Sequence, residues 1–357
     1  MPKSILDPEL RLPDVRFDVP LADLTTLRVG GPARRLVAVA TESELVDCIR
    51  ELDAREEPAL ILGGGSNLLV ADAGFEGTVV KIETRGVQAD VSGCSGAILS
   101  VAAGEDWDAL VVRTLEEDFV GLEAMSGIPG LVGATPMQNV GAYGAEVADS
   151  IETVRTYDRK NHEIRTFAAA DCGFSYRSSR FKTEAGRYVI LSVTFQLRLG
   201  SMSRPIRYPE LARALRVEVN SRAPAPAVRE AVLALRRAKG MVLEDDDLDT
   251  WSAGSFFTNP ILDAPQSATL PVDAPRFPLP DGRVKTSAAW LIERAGFGKG
   301  FGDGAARVST KHSLALTNRG AASAADLVEL ARQIRAGVTA RFGLTLVPEP
   351  ALVGCEL

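Results

Sequence analysis

The first third of the chain alternates short apolar runs with one amphipathic segment. Apolar residues occupy 36–40 and 59–62, and both runs have the length and composition typical of β-strands. Between them, Thr41 is followed three residues later by Glu44, which is the spacing of a helix capping box. Apolar residues then recur at helical spacing, at Leu45, Ile49 and Leu52. The pattern predicts a strand, a helix and a second strand, in that order.

Three consecutive glycines begin the loop after the second strand. The loop reads GGGSN over 63–67 and leads into another apolar run, not into a helix. A dinucleotide loop of the Rossmann type feeds directly into a helix whose N-terminus meets the pyrophosphate. This loop must therefore bind an anion through its own backbone amides, as an anion nest does. A purely structural glycine loop is the alternative.

The segment 124–145 contains five glycines and no charged residue. Two prolines and a Gln-Asn pair make it unsuitable as a membrane span. A planar cofactor with a diphosphate tail needs close backbone approach, apolar walls and a few polar partners. The segment offers such partners at Ser126, Thr135, Gln138, Asn139 and Tyr143. A tightly packed turn region is the alternative.

Apolar runs and prolines divide the middle of the chain. Long apolar runs predict strands within 151–158 and 187–199. Four prolines within 200–228 indicate a crossing or lid segment, with a short helix after Pro209. The first half is therefore predicted to be α+β with a strand-rich second lobe.

The last third mixes helical and extended patterns. Helices are predicted within 227–240 and 286–294, and Ser323 with Asp326 forms the capping box of a third helix. Acidic residues predict an exposed turn over 244–249. Apolar runs predict strands over 251–262 and 308–318 and an extended tail over 344–357.

Composition narrows the function classes. The 357 residues include 40 Lys and Arg against 47 Asp and Glu, a formal net charge of −7, which is the wrong sign for a protein that holds nucleic acid through phosphates. Two histidines and four scattered cysteines provide no zinc ligand set and no C-x-x-C pair, so we expect no metal. Acids and prolines near the N-terminus are not typical of a signal peptide, and no run of about 18 apolar residues occurs. We expect a cytoplasmic protein with no membrane partner.

Three residues are candidates for chemistry. Arg177, in the loop YRSSRFK, could pair with a carboxylate and stabilise charge on it, although this motif taken alone is better explained by a basic surface loop. Ser255, between Gly254 and two phenylalanines, could deliver a proton from a fixed place, or be a structural serine of a strand. Glu349 lies between two prolines that hold the chain extended, although carboxylates near a terminus are usually solvated.

Taken in order, these motifs resemble the UDP-N-acetylenolpyruvoylglucosamine reductase family, also called MurB. The resemblance rests on TTLRVGGPA, GGGSNLLV, SGIPGLVGATPMQNVGAYG, YRSSRFK, AGSFFTNP, KTSAAWLIERAG and VPEP, which together cover nearly the whole chain. It implies an α+β protein with the two-lobed FAD-binding fold of the vanillyl-alcohol-oxidase-like (PCMH-type) flavoproteins and a C-terminal α+β substrate domain.

The resemblance also implies a role for each matching residue. Arg177, Ser255 as proton donor and Glu349 would be catalytic. Tyr208, in RPIRYPEL, matches the lid tyrosine of one of the two types of the family, so the chain resembles the lidded type. The substrate would meet Tyr176, Tyr208, Lys239 and Asn259. FAD would be bound non-covalently by Gly63, Gly64, Gly65, Ser66, Asn67, Leu68, Ser126, Ile128, Gly130, Gly133, Ala134, Thr135, Gln138, Asn139, Gly141 and Tyr143.

The implied reaction is the reduction of UDP-N-acetylglucosamine-enolpyruvate to UDP-N-acetylmuramate, a peptidoglycan precursor, with NADPH as co-substrate. The implied protein is a monomer. An FAD-dependent oxidase of another alcohol or sugar and a non-catalytic sugar-nucleotide binder are the alternatives.

The resemblance and the composition together predict a division of the chain. The division comprises an N-terminal arm, an FAD-binding region of two lobes, a lid with its connection, a substrate domain and a tail that returns to the active site. The arm is 1–20 and the FAD-binding region 21–199, with lobes of about 21–85 and 86–199. The lid with its connection is 200–238, the substrate domain 239–343 and the tail 344–357.

Overall fold

A four-stranded sheet and one helix form the first lobe. The computed structural model describes residues 15–357, so most of the predicted arm lies outside the described range. The central strand β5 pairs in parallel with β2 and β3, while β1 pairs antiparallel with β2 at the edge, so residues 15–20 belong to this sheet. The elements are β1 (Val15–Pro20), β2 (Pro32–Val39), α1 (Glu42–Ala54), β3 (Ala59–Leu62), β4 (Leu68–Val70) and β5 (Phe75–Ile82).

The predicted helix α1 begins at the predicted capping box. The Thr41 hydroxyl accepts a hydrogen bond from the Glu44 amide, and the Glu44 carboxylate accepts one from the Thr41 amide, at 3.2 and 3.0 Å. Its apolar face is buried between the first sheet and the second. The predicted order of strand, helix and strand is therefore confirmed, and the two lobes share one hydrophobic core.

An antiparallel sheet forms the second lobe. Its strands run in the order β12, β11, β13, β7 and β6, and β8 also pairs with β13. The elements, in chain order, are β6 (Val87–Ser92), β7 (Gly96–Ala102), α2 (Trp107–Glu116), β8 (Phe119–Val120), β9 (Gly141–Ala142), β10 (Ala145–Glu146), β11 (Ile151–Asp158), β12 (Glu163–Ala168), α3 (Arg180–Thr183) and β13 (Tyr188–Leu199).

Helices and short strands form the remainder. The predicted lid contains two helices that pack on each other around Leu211 and Val232. The elements are α4 (Pro209–Leu215), α5 (Ala225–Ala238), β14 (Ile261–Leu262), α6 (Ala264–Ala268), β15 (Phe277–Pro278), β16 (Val284–Lys285), α7 (Ala288–Arg294), β17 (Ala306–Val308), β18 (Leu316–Asn318), α8 (Ala324–Phe342) and β19 (Ala351–Val353). The predicted capping box of α8, Ser323 with Asp326, is confirmed. No helix within 15–357 is long and apolar enough to cross a membrane.

Two predicted strands are wrong. Residues 308–318 are not one strand, since they contain the end of β17, a turn and β18, which pairs antiparallel with β17. The chain turns because the Ser309 hydroxyl accepts the amides of Lys311 and His312. Such local side-chain bonds compete with a continuous strand. Within 251–262 only the last two residues form a strand, since Gly254 turns the chain with a φ of +71°.

The acidic segment 244–249 was predicted to be an exposed turn, and the structure gives it ionic partners. Asp249 is only 5% exposed and accepts hydrogen bonds from the amide of Thr310 at 2.8 Å and from Arg319 at 2.9 Å. Asp245 pairs with Arg28 of the first lobe. The segment therefore links the C-terminal region to the first lobe.

The C-terminal tail lies against the first lobe. Strand β19 pairs in parallel with β4, the strand that follows the glycine loop. The predicted return of the tail is thereby explained, because the pairing fixes the residues just before β19 beside that loop. The predicted domain limits stay predictions, since core residues of both lobes mix in one cluster.

Candidate active site

The glycine loop at 63–67 connects β3 to β4 and faces the backbone at Gly130. A Cβ atom on Gly64 would lie 2.8 Å from the Cα of Gly130, and one on Gly65 would lie 1.9 Å from the carbonyl oxygen of Leu24. Gly65 also has a φ of +60°, which side chains other than glycine rarely adopt. Glycine is therefore required where the two segments meet, and no helix follows the loop.

A cavity of about 430 Å³ lies at this junction. Its wall combines backbone of the glycine loop with apolar side chains such as Trp107 and Ile128. Close backbone approach and apolar walls suit a planar ring with a diphosphate tail. The predicted cofactor-binding residues in the wall are Gly63, Gly64, Gly65, Ser66, Asn67, Leu68, Ile128, Gly130, Ala134, Thr135, Gln138 and Gly141. These residues fit FAD.

Four predicted cofactor-binding residues do not line this cavity, namely Ser126, Gly133, Asn139 and Tyr143. The Ser126 hydroxyl donates to a backbone carbonyl, and Gly133 allows close packing against Ala103. Asn139 donates to the carbonyl oxygen of Ser175 at 3.2 Å, so it supports the loop that carries Arg177. These contacts are structural, and Tyr143 lies by the lid.

Arg177 and Glu349 meet in the wall of the cavity. Their Nε and Oε1 atoms lie 2.9 Å apart, and the side chains are 23% and 11% exposed. The contact is an ion pair by distance, although the Nε–H of Arg177 is not directed at an acceptor. A second guanidinium nitrogen, Nη2, donates to the carbonyl oxygen of Gly141 at 2.9 Å. The arginine is thus held between the glycine segment and the tail.

The backbone at Arg177 aims this side chain. Its φ of +53° lies in the left-handed region, within a tight turn closed by Ser175 and Ser178. The ammonium group of Lys182 donates to the Arg177 carbonyl oxygen at 3.2 Å and stabilises the turn. Such a strained conformation at a non-glycine residue is frequent in functional sites, where surrounding contacts hold it.

Glu349 is fixed by amide side chains from both glycine-rich segments. Gln138 Nε2 donates to its Oε1 atom at 3.2 Å, and Asn67 Nδ2 donates to its carbonyl oxygen at 3.3 Å. Asn67 Nδ2 also donates to Gln138 Oε1 at 3.0 Å. These three residues therefore form one network between the loop, the glycine segment and the tail.

Burial raises the pKa of the Glu349 carboxyl above its ordinary value. The nearby cations Arg177 and Lys182 oppose this shift, because they favour the carboxylate. Burial lowers the pKa of the Lys182 ammonium group. The site thus holds a carboxyl whose protonated form is more accessible than that of a solvated glutamate.

Ser255 lines the same cavity as Arg177 and Glu349. The tail is tied to the segment after Ser255, because the Glu349 amide donates to the Phe256 carbonyl oxygen at 2.9 Å. Phe256 is buried, and its own amide donates to the carbonyl oxygen of Leu314 at 2.7 Å. The Ser255 hydroxyl makes no hydrogen bond to any residue within 15–357, so it remains available to a ligand.

The four predicted substrate-binding residues form two clusters outside this cavity. In the first, the Tyr176 hydroxyl accepts the amide of Asn259 at 3.3 Å, and the Lys285 ammonium group lies 4.6 Å from the Tyr176 ring centroid. Burial raises the pKa of Tyr176. Tyr176 adjoins Arg177, so this cluster borders the predicted catalytic residues.

The second cluster lies at the lid. The rings of Tyr143 and Tyr208 meet edge to face at 5.5 Å, and Tyr208 is 42% exposed. Lys239 Nζ lies 5.6 Å from the Tyr143 centroid and 2.6 Å from a carboxylate oxygen of Glu210 in α4. Tyr143 therefore groups with the predicted lid residues, and Lys239 is paired with the lid itself.

The predictions missed two cations that line the cavity, Lys182 and Arg236. Lys182 lies in the quoted YRSSRFK motif, five residues after Arg177. Arg236 follows the buried Val228 and Val232 of α5 at intervals of four residues. Helical spacing could therefore have placed Arg236 on the inner face of its helix.

Comparisons with known proteins agree with this geometry. Residues 33–167 match the description "FAD binding domain", and residues 246–353 match "UDP-N-acetylenolpyruvoylglucosamine reductase, C-terminal domain". The first match confirms the predicted FAD-binding fold and its cofactor. The second match includes Ser255 and Glu349, whereas Arg177 lies between the matched ranges.

Several relatives match along most of their length. A UDP-N-acetylenolpyruvoylglucosamine reductase of Cutibacterium acnes is 58% identical over 343 residues, which cover 95% of this chain and 90% of the relative. A UDP-N-acetylenolpyruvoylglucosamine reductase of Streptomyces coelicolor is 52% identical, and the match covers 100% of this chain and 94% of that relative.

A crystal structure agrees with both. The UDP-N-acetylenolpyruvylglucosamine reductase (MurB) of Thermus caldophilus superimposes with a TM-score of 0.66 at 26% identity, covering 95% of this chain and 99% of that one. The identities and the coverage lead to one conclusion: this chain belongs to the UDP-N-acetylenolpyruvoylglucosamine reductase family.

Proposed function

We propose that the protein reduces the enolpyruvyl ether of UDP-N-acetylglucosamine-enolpyruvate to UDP-N-acetylmuramate, with NADPH as the source of electrons. The observation that carries this proposal is one cavity in which a guanidinium, a carboxyl and an unpartnered hydroxyl meet. FAD held by the glycine-rich wall and reduced by NADPH would supply the hydride for the substrate double bond. The residues of this chain do the remaining work.

Arg177 and Glu349 stabilise the charge that develops on the substrate. Hydride addition leaves negative charge on the adjacent carbon and its carboxylate, and a fixed cation in a site of low dielectric stabilises such charge strongly. Glu349 contributes as a hydrogen-bond donor in its protonated form, which burial favours. Loss of one such group typically costs about 10²- to 10³-fold in rate.

Ser255 protonates the carbon that carries the charge. The O–H bond of the serine breaks and a C–H bond of the product forms. The serine oxygen regains a proton from solvent after the product leaves. A hydroxyl is a weak acid in water, but a carbanion-like acceptor makes the transfer favourable. The tail and Leu314 fix the backbone next to Ser255, so the proton reaches one face of the substrate.

Two clusters are available to the rest of the substrate. Tyr176 and Asn259 adjoin the catalytic residues, while Tyr208 and Lys239 lie at the lid. An ammonium group suits a diphosphate, and an exposed aromatic ring on a lid can cover a bound sugar nucleotide. We propose that the lid group contacts the nucleotide side of the substrate.

The two half-reactions test this proposal. The purified protein is reduced anaerobically with NADPH while the flavin absorbance is followed, and the enolpyruvyl sugar nucleotide is then added. Ser255→Ala should retain flavin reduction at a rate near wild type and lose reoxidation by at least about 10²-fold. Equal loss of both half-reactions would remove Ser255 from proton donation.

Thr258→Val provides a matched control, because it removes a hydroxyl three residues after Ser255. That hydroxyl donates a long hydrogen bond, 3.4 Å, to the carbonyl oxygen of Val347. It should leave both half-reactions intact. If the protein consumes oxygen rapidly with a sugar and its flavin is not reduced by NADPH, it is an oxidase and the proposed reaction is wrong. A protein that binds the sugar nucleotide but no flavin would be a binding protein.

We further propose that the protein acts in the cytoplasm and as a monomer. NADPH and nucleotide sugars are intracellular metabolites, which supports the location. The monomeric state is a separate proposal with its own test. Sedimentation of the flavin-loaded protein would test this, and a dimer whose formation is required for activity would contradict it.

A further inference from the structure

Lys182 is a cation in the cavity wall that forms no ion pair of its own. It lies in α3, shortly after Arg177, and lines the cavity together with Arg177 and Glu349. Its ammonium group donates a hydrogen bond to the Arg177 carbonyl oxygen at 3.2 Å. Within 15–357, no carboxylate lies close enough to this ammonium group for an ion pair. Lys182 is therefore held by the backbone at Arg177 and not by an acid.

Ser179 fixes the backbone from which Lys182 projects. The Ser179 hydroxyl caps α3 by accepting the Lys182 amide at 3.3 Å, and it donates to the Met137 carbonyl oxygen at 2.6 Å. Ser179 is buried, and Met137 belongs to the glycine-rich segment and lines the cavity. The short helix is thus anchored to the cavity wall, so the Lys182 side chain starts from a fixed place.

The hydrogen bond from Lys182 supports an unfavourable turn. Arg177 has a φ of +53°, which costs free energy in any residue that has a side chain. Ser175 and Ser178 close the turn through their backbone, but the Arg177 carbonyl oxygen accepts no backbone amide within 15–357. Loss of the Lys182 ammonium group would therefore leave this carbonyl without its donor and weaken the turn that aims the Arg177 guanidinium.

Lys182 also acts on the Glu349 carboxyl through space. Within the described residues, the titratable groups that face this carboxyl are Arg177, Lys182 and Tyr176. Burial raises the pKa of Glu349, and the charges of Arg177 and Lys182 oppose that shift. Tyr176 adds no charge at neutral pH, because burial raises the pKa of its hydroxyl above the ordinary value of 10. Lys182 is thus a second cation for Glu349, and it acts without contact.

We propose that Lys182 is a positioning residue for the reaction of the reduced protein with its substrate: its ammonium group holds the turn that aims Arg177, and its charge acts on Glu349 from a distance. The inference rests on the proposed function, because it takes Arg177 and Glu349 to act on the enolpyruvyl group. The two effects can be separated by experiment. The hydrogen bond should affect the rate, and the charge should affect the pH at which Glu349 loses its proton.

Anaerobic half-reactions of the flavin-loaded protein over a range of pH test this role. Lys182→Met should keep flavin reduction by NADPH near the wild-type rate. Reoxidation by UDP-N-acetylglucosamine-enolpyruvate should be about 10-fold slower, because the turn loses a charge-assisted hydrogen bond. The fall in reoxidation rate at high pH, where Glu349 ionises, should move upward by about 1 pH unit, because loss of a nearby cation raises the pKa of a carboxyl. The KM for the sugar nucleotide should stay near that of wild type.

Arg180→Met is the matched control. Arg180 lies two residues before Lys182 in α3, pairs with Glu184 at 3.6 Å and does not line the cavity. Its loss should change neither half-reaction and should leave the pH profile where it is. Lys182→Arg keeps the charge, so its pH profile should match that of wild type even if its rate is lower. Lys182→Gln lacks the charge and should show the shifted profile, so it decides the question if Lys182→Met does not fold.

A double variant identifies the group on which the charge acts. In Glu349→Gln the fall in rate at high pH should be absent. Adding Lys182→Met to Glu349→Gln should then slow reoxidation without introducing a pH dependence, because the carboxyl that responds to the charge is gone. A fall that persists in Glu349→Gln and disappears when Lys182→Met is added would show that Lys182 itself titrates, and would overturn the assignment.

Three other results would also overturn it. An unchanged rate and profile in Lys182→Met would show that neither the hydrogen bond nor the charge matters. Slower reoxidation with an unmoved profile would refute the action on Glu349. A raised KM with an unchanged rate at saturating substrate would make Lys182 a substrate-binding residue. Failure of the sugar nucleotide to reoxidise the reduced wild type is a different result, because it would refute the proposed reaction before any variant is compared.

Discussion

His312 makes the stability of the protein depend on pH. Burial lowers the pKa of its imidazole from 6.5 to about 4, and the cations Lys239 and Lys299 add to this shift. Two carboxylates that also face it, Glu293 and Glu210, oppose the shift only in part. The neutral ring is thus the form that the folded protein accepts.

The size of the effect follows from the difference between the folded and unfolded states. At pH 5 the unfolded imidazole is almost fully protonated, while the folded one is about nine-tenths neutral. Between pH 4 and 6.5 the unfolded chain binds more protons, so the free energy of unfolding decreases as the pH falls through this window. From pH 7 to pH 5, His312 alone should cost about 2 kcal/mol.

Protonation of His312 should also affect Ser255, the proposed proton donor. His312 belongs to the turn 309–315, and the carbonyl oxygen of Leu314 in this turn accepts the amide of Phe256 at 2.7 Å. Phe256 follows Ser255 directly. We therefore expect protonation of the His312 ring to weaken the support of the proposed proton donor.

Urea unfolding in saturating FAD, followed by tryptophan fluorescence, measures this contribution at pH 7 and pH 5. From pH 7 to pH 5, the free energy of unfolding of wild type should fall by about 2 kcal/mol more than that of His312→Gln, because the Gln amide does not titrate. His162→Gln removes the other histidine of the chain, which is exposed, and should behave as wild type. Equal losses in wild type and His312→Gln would refute the reasoning.

Three other predictions concern single side chains. In wild type, the rate of flavin reoxidation should fall at high pH as the Glu349 carboxyl, whose pKa is raised, ionises. Glu349→Gln keeps a hydrogen-bond donor that does not ionise, so this fall should disappear from its pH profile. Glu210→Gln frees Lys239 and should lower the KM for the sugar nucleotide several-fold in steady-state assays, and an unchanged KM would exclude competition by Glu210. Thr41→Ala removes the helix cap and should cost about 1 kcal/mol in urea unfolding, and no loss would contradict that contribution.

Local patterns were sufficient for the elements that local interactions decide. Thr41 and Glu44 predicted the start of α1 because each satisfies the backbone of the other. The wrong strand at 308–318 has the opposite cause. Its apolar residues are those of a strand, but the Ser309 hydroxyl takes two amides and turns the chain, which hydrophobic pattern alone does not reveal.

The candidate site divides in the same way. Glycine-rich motifs predicted twelve residues of the cavity wall, since close backbone approach requires glycine. Arg236 and Lys182 were missed because their role depends on which way a helix and a loop face. Tyr143 was assigned to the cofactor from its neighbours in sequence, whereas its contacts are with Tyr208 and Lys239 at the lid.

The tail gives the site a property that none of its motifs has alone. The amide of Ala351 donates to the carbonyl oxygen of Asn67 at 3.0 Å, and the Asn67 side chain donates to that of Glu349. The glycine loop and the Glu349 carboxyl are therefore held by one strand pairing, β4 with β19. Arg177 and Ser255 come from separate loops, so Glu349 is the member of the three that a strand pairing fixes beside the glycine loop.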